Sequence, residues 1–210
     1  MKRRKFSKKN TNGAQILEIL NAASNLFSKK GYVETTIDEI ANLAGVTKGG
    51  VYYYFDSKAD ILYRICLSYV EADIKALEEK VGRIQDSEKK LKYIVDLHIG
   101  HYAKQKNYAK TLLHESYNLP RKYLADIKAK ERRYYEMVLE IVSDLVGEGT
   151  KKEVAVALTF SLFAMMNWIY KWYDPKGPLK PEELSAIVFN LFMNGLKGIR
   201  KSSALGGGDA

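Results

Sequence analysis

Between Lys48 and Phe55 the chain gathers one cation, two glycines and four consecutive aromatics, Tyr52, Tyr53, Tyr54 and Phe55. Tyrosine hydroxyls can hydrogen-bond phosphate oxygens, and glycines remove side chains that would hold a helix away from another polymer. The stretch holds nothing arranged to make or break bonds. Elsewhere, His98 and His101 stand three apart without an acidic partner at ligand spacing, and His114 lies further on. The single cysteine, Cys66, falls in an apolar pattern with no activating cation close by. No glycine-rich phosphate loop, ordered Ser/His/Asp set or paired-carboxylate motif occurs. These residues point to binding rather than catalysis, and neither a metal nor a cofactor is expected.

Composition narrows the partner. The 210 residues, 46% of them hydrophobic, suffice for one large or two small cooperative units. One cysteine excludes an intrachain disulfide and fits a reduced, cytoplasmic setting. Net charge is +9, and Lys2, Arg3, Arg4, Lys5, Lys8 and Lys9 carry six of those charges. A flexible basic arm over residues 1 to 12 is what phosphate attraction would select, a solubilising tail being the other reading. It lacks the apolar run and cleavage site of a secretory signal. Val154 to Tyr170 is the longest uncharged run, 17 residues, but Thr159, Ser161 and Asn167 interrupt it. A buried helix in a soluble protein is expected there rather than a membrane span.

The elements that must position the aromatics are helical throughout, so an all-α fold of about nine helices is expected. Residues 14 to 30 repeat Ile16, Ile19, Leu20, Ala23, Leu26 and Phe27 at three- and four-residue spacing, and Gly31 stops the helix. Thr36 and Glu39 form a capping box for a short helix over about 37 to 44, which Gly45 ends. Thr47 caps a second short helix of about seven residues before Asp56 and Ser57 open a longer one. Two short helices across a tight turn make a helix-turn-helix, whose second helix enters the major groove of DNA. Val51 and Phe55, four apart, should face the small core with Ile37, Ile40 and Val46, leaving Tyr52 and Tyr53 toward DNA. Tyr54 lies between the two faces and is counted with the DNA-facing set.

Residues 31 to 62, GYVETTIDEIANLAGVTKGGVYYYFDSKADIL, closely resemble the DNA-binding region of the tetracycline-repressor (TetR) family. The likeness rests on the glycine and aromatic after the first helix, the Thr-Thr pair, Ile-Ala, Ala-Gly-Val, Tyr-x-x-Phe and Ser-Lys. It implies a transcriptional repressor that binds double-stranded operator DNA as a homodimer, and it makes Thr36, Thr47, Lys48, Gly49, Tyr52, Tyr53 and Lys58 the DNA contacts. Glycine stands at position 50, where the family more often has serine or threonine. The resemblance also implies a DNA-binding domain over 13–58 and a helical effector-binding and dimerisation domain over 59–200. These lie between the basic arm over 1–12 and a Gly/Ser-rich stretch over 201–210 that reads as a disordered tail.

Further helices are expected from Ser57 toward Glu79, from Ser87, from Asn107 to Ser116, and from Pro120 to a stop at Gly147. Two more, over about 151 to 173 and 181 to 199, are apolar nearly all round, and such helices need cover on both sides. A second copy of the same pair is the economical cover, placing Trp172, Phe189, Phe192 and Leu196 at a dimer interface.

A lipophilic effector would need an apolar cavity, and the candidates for its lining are Tyr93, Leu97, His101, Tyr134, Val138, Phe160, Phe163, Asn167 and Trp168. Residues 167 to 184, NWIYKWYDPKGPLKPEEL, are similar to the C-terminal signature of the FadR-like fatty-acid-degradation regulators, which implies a long-chain acyl-CoA effector. Arg121, Lys122, Lys128, Arg132 and Arg133 could then meet its phosphates. Two alternatives stand beside this: an efflux-gene repressor answering a cationic or aromatic drug, and an effector-free dimeric DNA-binding protein.

Overall fold

Capping and glycine stops set the helix order. The computed structural model describes residues 8–201, so the expectations for most of the basic arm and for the tail lie outside the described residues. Among those described, nine α-helices follow one another: α1 (Lys8–Lys30), α2 (Ile37–Leu43), α3 (Lys48–Tyr54), α4 (Lys58–Lys80), α5 (Ser87–Lys104), α6 (Lys106–Glu115), α7 (Arg121–Val146), α8 (Lys152–Asn167) and α9 (Pro181–Lys201). No strand occurs among the described residues. Gly45 takes φ +67, a left-handed conformation that a side chain would strain, and so ends α2 sharply enough for α3 to begin three residues later. The eighth helix is shorter than expected: it ends at Asn167, and a 3-10 turn over Trp168–Lys171 follows.

The chain divides into two compact units, each discontinuous in sequence. One gathers Met1–Tyr69 with Asn107–Ile127, the other Val70–Lys106 with Lys128–Ala210. The first unit has a core of Ile19, Ala23 and Phe27 from α1, Ile40 from α2, Val51 from α3, Phe55, and Ile61, Leu62 and Ile65 from α4, all nearly inaccessible. Helix α6 belongs to this unit, where Tyr108 donates to Asn21 Oδ1 at 2.9 Å and Glu115 accepts from the Tyr32 backbone N–H at 3.0 Å.

The second unit is built on α5 and α9, with α8 against both. Ser185 on α9 donates to Asp96 on α5 at 2.6 Å. By length and composition, Lys152–Lys171 could cross a membrane, with mean hydropathy 1.4 and 28% of it buried inside the structure. One face explains the apolar character: Ala155, Leu162 and Met166 are core residues of this unit.

Phe192 and Leu196, expected at a dimer interface, are corrected to the core of the protomer, at 5% and 1% exposure. The exposed apolar residues are instead Phe160, Trp168, Trp172, Ile187 and Leu191, each between 47% and 63% exposed. On α9 the buried residues Leu184, Val188, Phe192 and Leu196 recur every four residues, which sets one stripe of the helix inward. Of the interface residues expected from sequence, Trp172 is exposed and Phe189 half-buried.

Candidate nucleic-acid interface and effector site

Local hydrogen bonds place the helix-turn-helix. Thr36 accepts from the Glu39 backbone N–H at 3.3 Å while Glu39 accepts from the Thr36 N–H at 2.9 Å, closing the capping box. The Lys30 ammonium, 2.6 Å from Glu39, is the first cause that lowers the Glu39 carboxyl to about 2, ahead of the Thr36 N–H and hydroxyl. Thr47 Oγ1 accepts from Gly50 N–H at 3.0 Å and starts α3. Val51 and Phe55 point into the core at 0% and 1% exposure, and Tyr52 and Tyr53 stand out at 50% and 75%.

The two glycines differ. A Cβ on Gly50 would come within 3.3 Å of the capping Thr47 hydroxyl, whereas a Cβ on Gly49 would have Thr47 Oγ1 as its nearest neighbour at 3.9 Å. Gly50 therefore has a local structural use, while Gly49 leaves an exposed notch in the helix.

Thr36, Thr47, Lys48, Gly49, Tyr52 and Tyr53 are all exposed. Two further expected DNA contacts are engaged inside the protein. Tyr54 is half-buried and donates to Gln15 Oε1 at 2.6 Å, tying α3 to α1. Lys58 donates to the carbonyls of Tyr32, Val33 and Thr35 at 2.8, 3.1 and 2.7 Å and stands 4.4 Å from the Tyr32 ring centre. Burial is the first cause of its lowered pKa. The ammonium holds the turn between α1 and α2 and so acts on the site through the backbone that carries Thr36. Lys48 is paired with Asp38 at 2.9 Å, at the solvent-exposed surface.

In the second unit the expected effector residues separate into two groups. Tyr134, Asn167 and Phe163 come together around His98, a residue not expected at the site. His98 Nδ1 lies 3.2 Å from Tyr134 Oη and Nε2 lies 3.0 Å from Asn167 Oδ1, joining α5, α7 and α8. Phe163 stands edge-on to both rings, at 6.3 Å from His98 and 5.6 Å from Tyr134. Burial is the main cause that keeps the His98 pKa below its ordinary value. His101 Nδ1 meets Asp73 Oδ1 at 2.7 Å, which joins α5 to α4. Val138 is fully buried, Leu97 is half-buried, and Tyr93 is half-buried beneath Lys80.

Phe160 and Trp168 are corrected: at 60% and 61% exposure they do not line the interior, Phe160 lying on the outward side of α8 and Trp168 opening the 3-10 turn that follows it. Of the cations expected near an effector, Lys128, Arg132 and Arg133 pair with Glu131, Glu136 and Glu78. Among the described residues no group of three or more His, Cys, Asp or Glu could hold a metal.

An exposed, capped helix behind a tight turn, joined to a larger helical unit with a buried polar cluster, defines a helix-turn-helix regulator. The description "Bacterial regulatory proteins, tetR family" matches residues 19–65, and "Tetracyclin repressor-like, C-terminal domain" matches residues 85–196. The chain belongs to the TetR family and is a DNA-binding transcriptional repressor of that family. A TetR-family regulator from Bordetella parapertussis aligns at TM-score 0.82 with 26% identity, over 85% of this chain and 94% of its own. The structure of AibR in complex with isovaleryl coenzyme A and operator DNA aligns at TM-score 0.74 with 26% identity, over 85% and 98%. The transcriptional repressor KstR2 of Rhodococcus jostii is 26% identical over 186 residues, 85% of this chain and 89% of that protein.

Proposed function

We propose that the protein is a homodimeric repressor that holds a palindromic operator through α3 and is released from it by an acyl-CoA thioester bound in the second unit. The DNA contacts in this reading are Thr36, Thr47, Lys48, Gly49, Tyr52 and Tyr53. Lys58 and Tyr54 position them. In this reading the second copy covers the exposed apolar residues Phe160, Trp168, Trp172, Ile187 and Leu191.

The observation that carries the effector half is the buried cluster of His98, Tyr134 and Asn167 linking three helices. Buried polar groups are costly unless hydrogen-bonded, and a bonded cluster such as this one fixes the relative placement of the helices it joins. The likeness to AibR, whose structure contains isovaleryl coenzyme A, supports an acyl-CoA as the ligand class. Asp73 on α4 bonds His101 on the same helix as His98, so a ligand that moves α5 also acts on α4. Release requires only that the ligand favour the state in which the two recognition helices no longer match successive major grooves.

The test is an operator-release titration comparing long-chain acyl-CoAs, free fatty acids, cationic drugs and aromatic acids at equal concentration. Release by the thioesters alone is the expected result. Release by cationic drugs alone would replace this reading with the efflux one, and no release by any of them would leave an effector-free repressor.

A further inference from the structure

We propose that the Tyr102 hydroxyl and the Asn167 amide N–H group form a two-donor site for the carbonyl oxygen of the effector, so that the protein tells a thioester from the corresponding thioether. The inference rests on the acyl-CoA reading and names the group that reading leaves open.

Donor and acceptor chemistry fixes what remains unpaired in the second unit. Asn167 Oδ1 can only accept, so His98 Nε2 donates to it at 3.0 Å. The buried ring is neutral, which leaves Nδ1 as an acceptor for the Tyr134 hydroxyl at 3.2 Å. This uses both ring nitrogens and the Asn167 oxygen but leaves the Asn167 Nδ2 hydrogens without a partner among the described residues. If the amide is turned over, Nδ2 donates to His98 Nε2, His98 Nδ1 donates to the Tyr134 oxygen, and Asn167 keeps one hydrogen beside a leftover acceptor oxygen. Either orientation leaves a donor on a half-buried side chain.

Tyr102 lies four residues after His98, on the same face of α5 and about 6 Å further along its axis. It is 3% exposed, and its hydroxyl oxygen finds no hydrogen-bond partner among the described residues. The chain beyond Asn167 returns to it, with the Tyr173 ring 6.5 Å from that of Tyr102. Burial first, then Asp174 and Tyr173, push the Tyr102 pKa up to about 12, so the hydroxyl stays a neutral donor.

Both leftover groups offer a hydrogen and neither carries charge; the Tyr102 oxygen can also accept. An ammonium can only donate, so it would meet the Tyr102 oxygen but leave both hydrogens unsatisfied, and a hydrocarbon leaves every group unpaired. A carbonyl oxygen accepts two hydrogen bonds and satisfies them. An unpaired buried hydroxyl also destabilises the empty protein, so the ligand relieves a penalty that folding leaves in place.

The experiment is calorimetric titration of the full chain with hexadecanoyl-CoA and with S-hexadecyl-CoA, the thioether that lacks only the carbonyl oxygen. The parent should bind the thioester at least about tenfold more tightly, the scale of one well-made buried hydrogen bond. Tyr102→Phe should erase most of that preference while melting at the parent's temperature or above it, because it removes an unpaired polar group. Asn167→Asp keeps an oxygen for His98 Nε2 but has no N–H, and it should also lose the preference. Equal binding of the two ligands by the parent, an unchanged preference in Tyr102→Phe, or a lower melting temperature for that variant would overturn the inference while the acyl-CoA reading stands. Failure of the parent to bind either ligand would overturn both.

Discussion

Gly49 separates a structural from a functional use of glycine. It is exposed near the start of α3, and the atom nearest a Cβ there would be Thr47 Oγ1 at 3.9 Å, an ordinary contact. Glycine destabilises a helix by about 0.5 to 1 kcal/mol relative to alanine. Gly49→Ala should therefore raise thermal stability by about that amount and weaken operator binding, as read by melting curves and operator titration. Binding as tight as the parent's would remove Gly49 from the DNA-facing surface. His98 gives a second prediction at this scale. Burial lowers its pKa in the folded protein, an effect that Asp73 and Asn167 oppose and His101 reinforces. The unfolded chain then takes up this proton first as pH falls through about 6.5. Stability from the neutral ring is full above that pH and declines below it until the folded ring protonates. Between pH 7.5 and 5.5 the parent should lose more melting temperature than His98→Asn. An equal loss in the two would show that His98 does not contribute to the pH dependence.

Helices α8 and α9 show how the phase of an element decides the meaning of its residues. Leu191 and Phe192 are neighbours in sequence, yet Leu191 is 63% exposed and Phe192 is 5% exposed. Truncating a buried phenylalanine costs about 3 to 5 kcal/mol, so Phe192→Ala should lower the melting temperature of the second unit sharply. Leu191→Glu touches only the exposed face. It should leave the fold of the protomer intact and shift the protein from dimer to monomer in sedimentation at micromolar concentration. A Leu191→Glu protein that sediments with the parent would place the dimer interface elsewhere.

At the scale of the whole molecule, the chain does not divide where its motifs do. The helix-turn-helix shares a compact unit with α6 and the first residues of α7, and α4 and α7 each contribute residues to both units. Within the first unit, Lys58 from α4 and Glu115 from α6 hold the same turn, between α1 and α2. An operator-release measurement therefore reads the combined state of these helices, not of α3 alone. Charge is also distributed at this scale, with six of the nine net positive charges near the N-terminus.

The helix-turn-helix was legible in the sequence because its determinants are local. The Thr36–Glu39 box, the Thr47 cap, the stop at Gly45 and the four-residue spacing of Val51 and Phe55 all act within a few residues of one another, and the structure reproduces each. All-helical architecture followed from the same short-range periodicity. The partners of Lys58 lie 23 to 26 residues away, those of His98 lie 36 and 69 away, and the Glu115 to Tyr32 bond spans 83. No local pattern encodes such pairings. On α9 the four-residue spacing of Leu184, Val188, Phe192 and Leu196 opposite Glu183, Asn190, Asn194 and Lys197 already marks the inward face. The outward direction of Phe160 on α8, by contrast, was decided by packing, because a helix that is apolar on every side can bury any of its faces until its neighbours choose one.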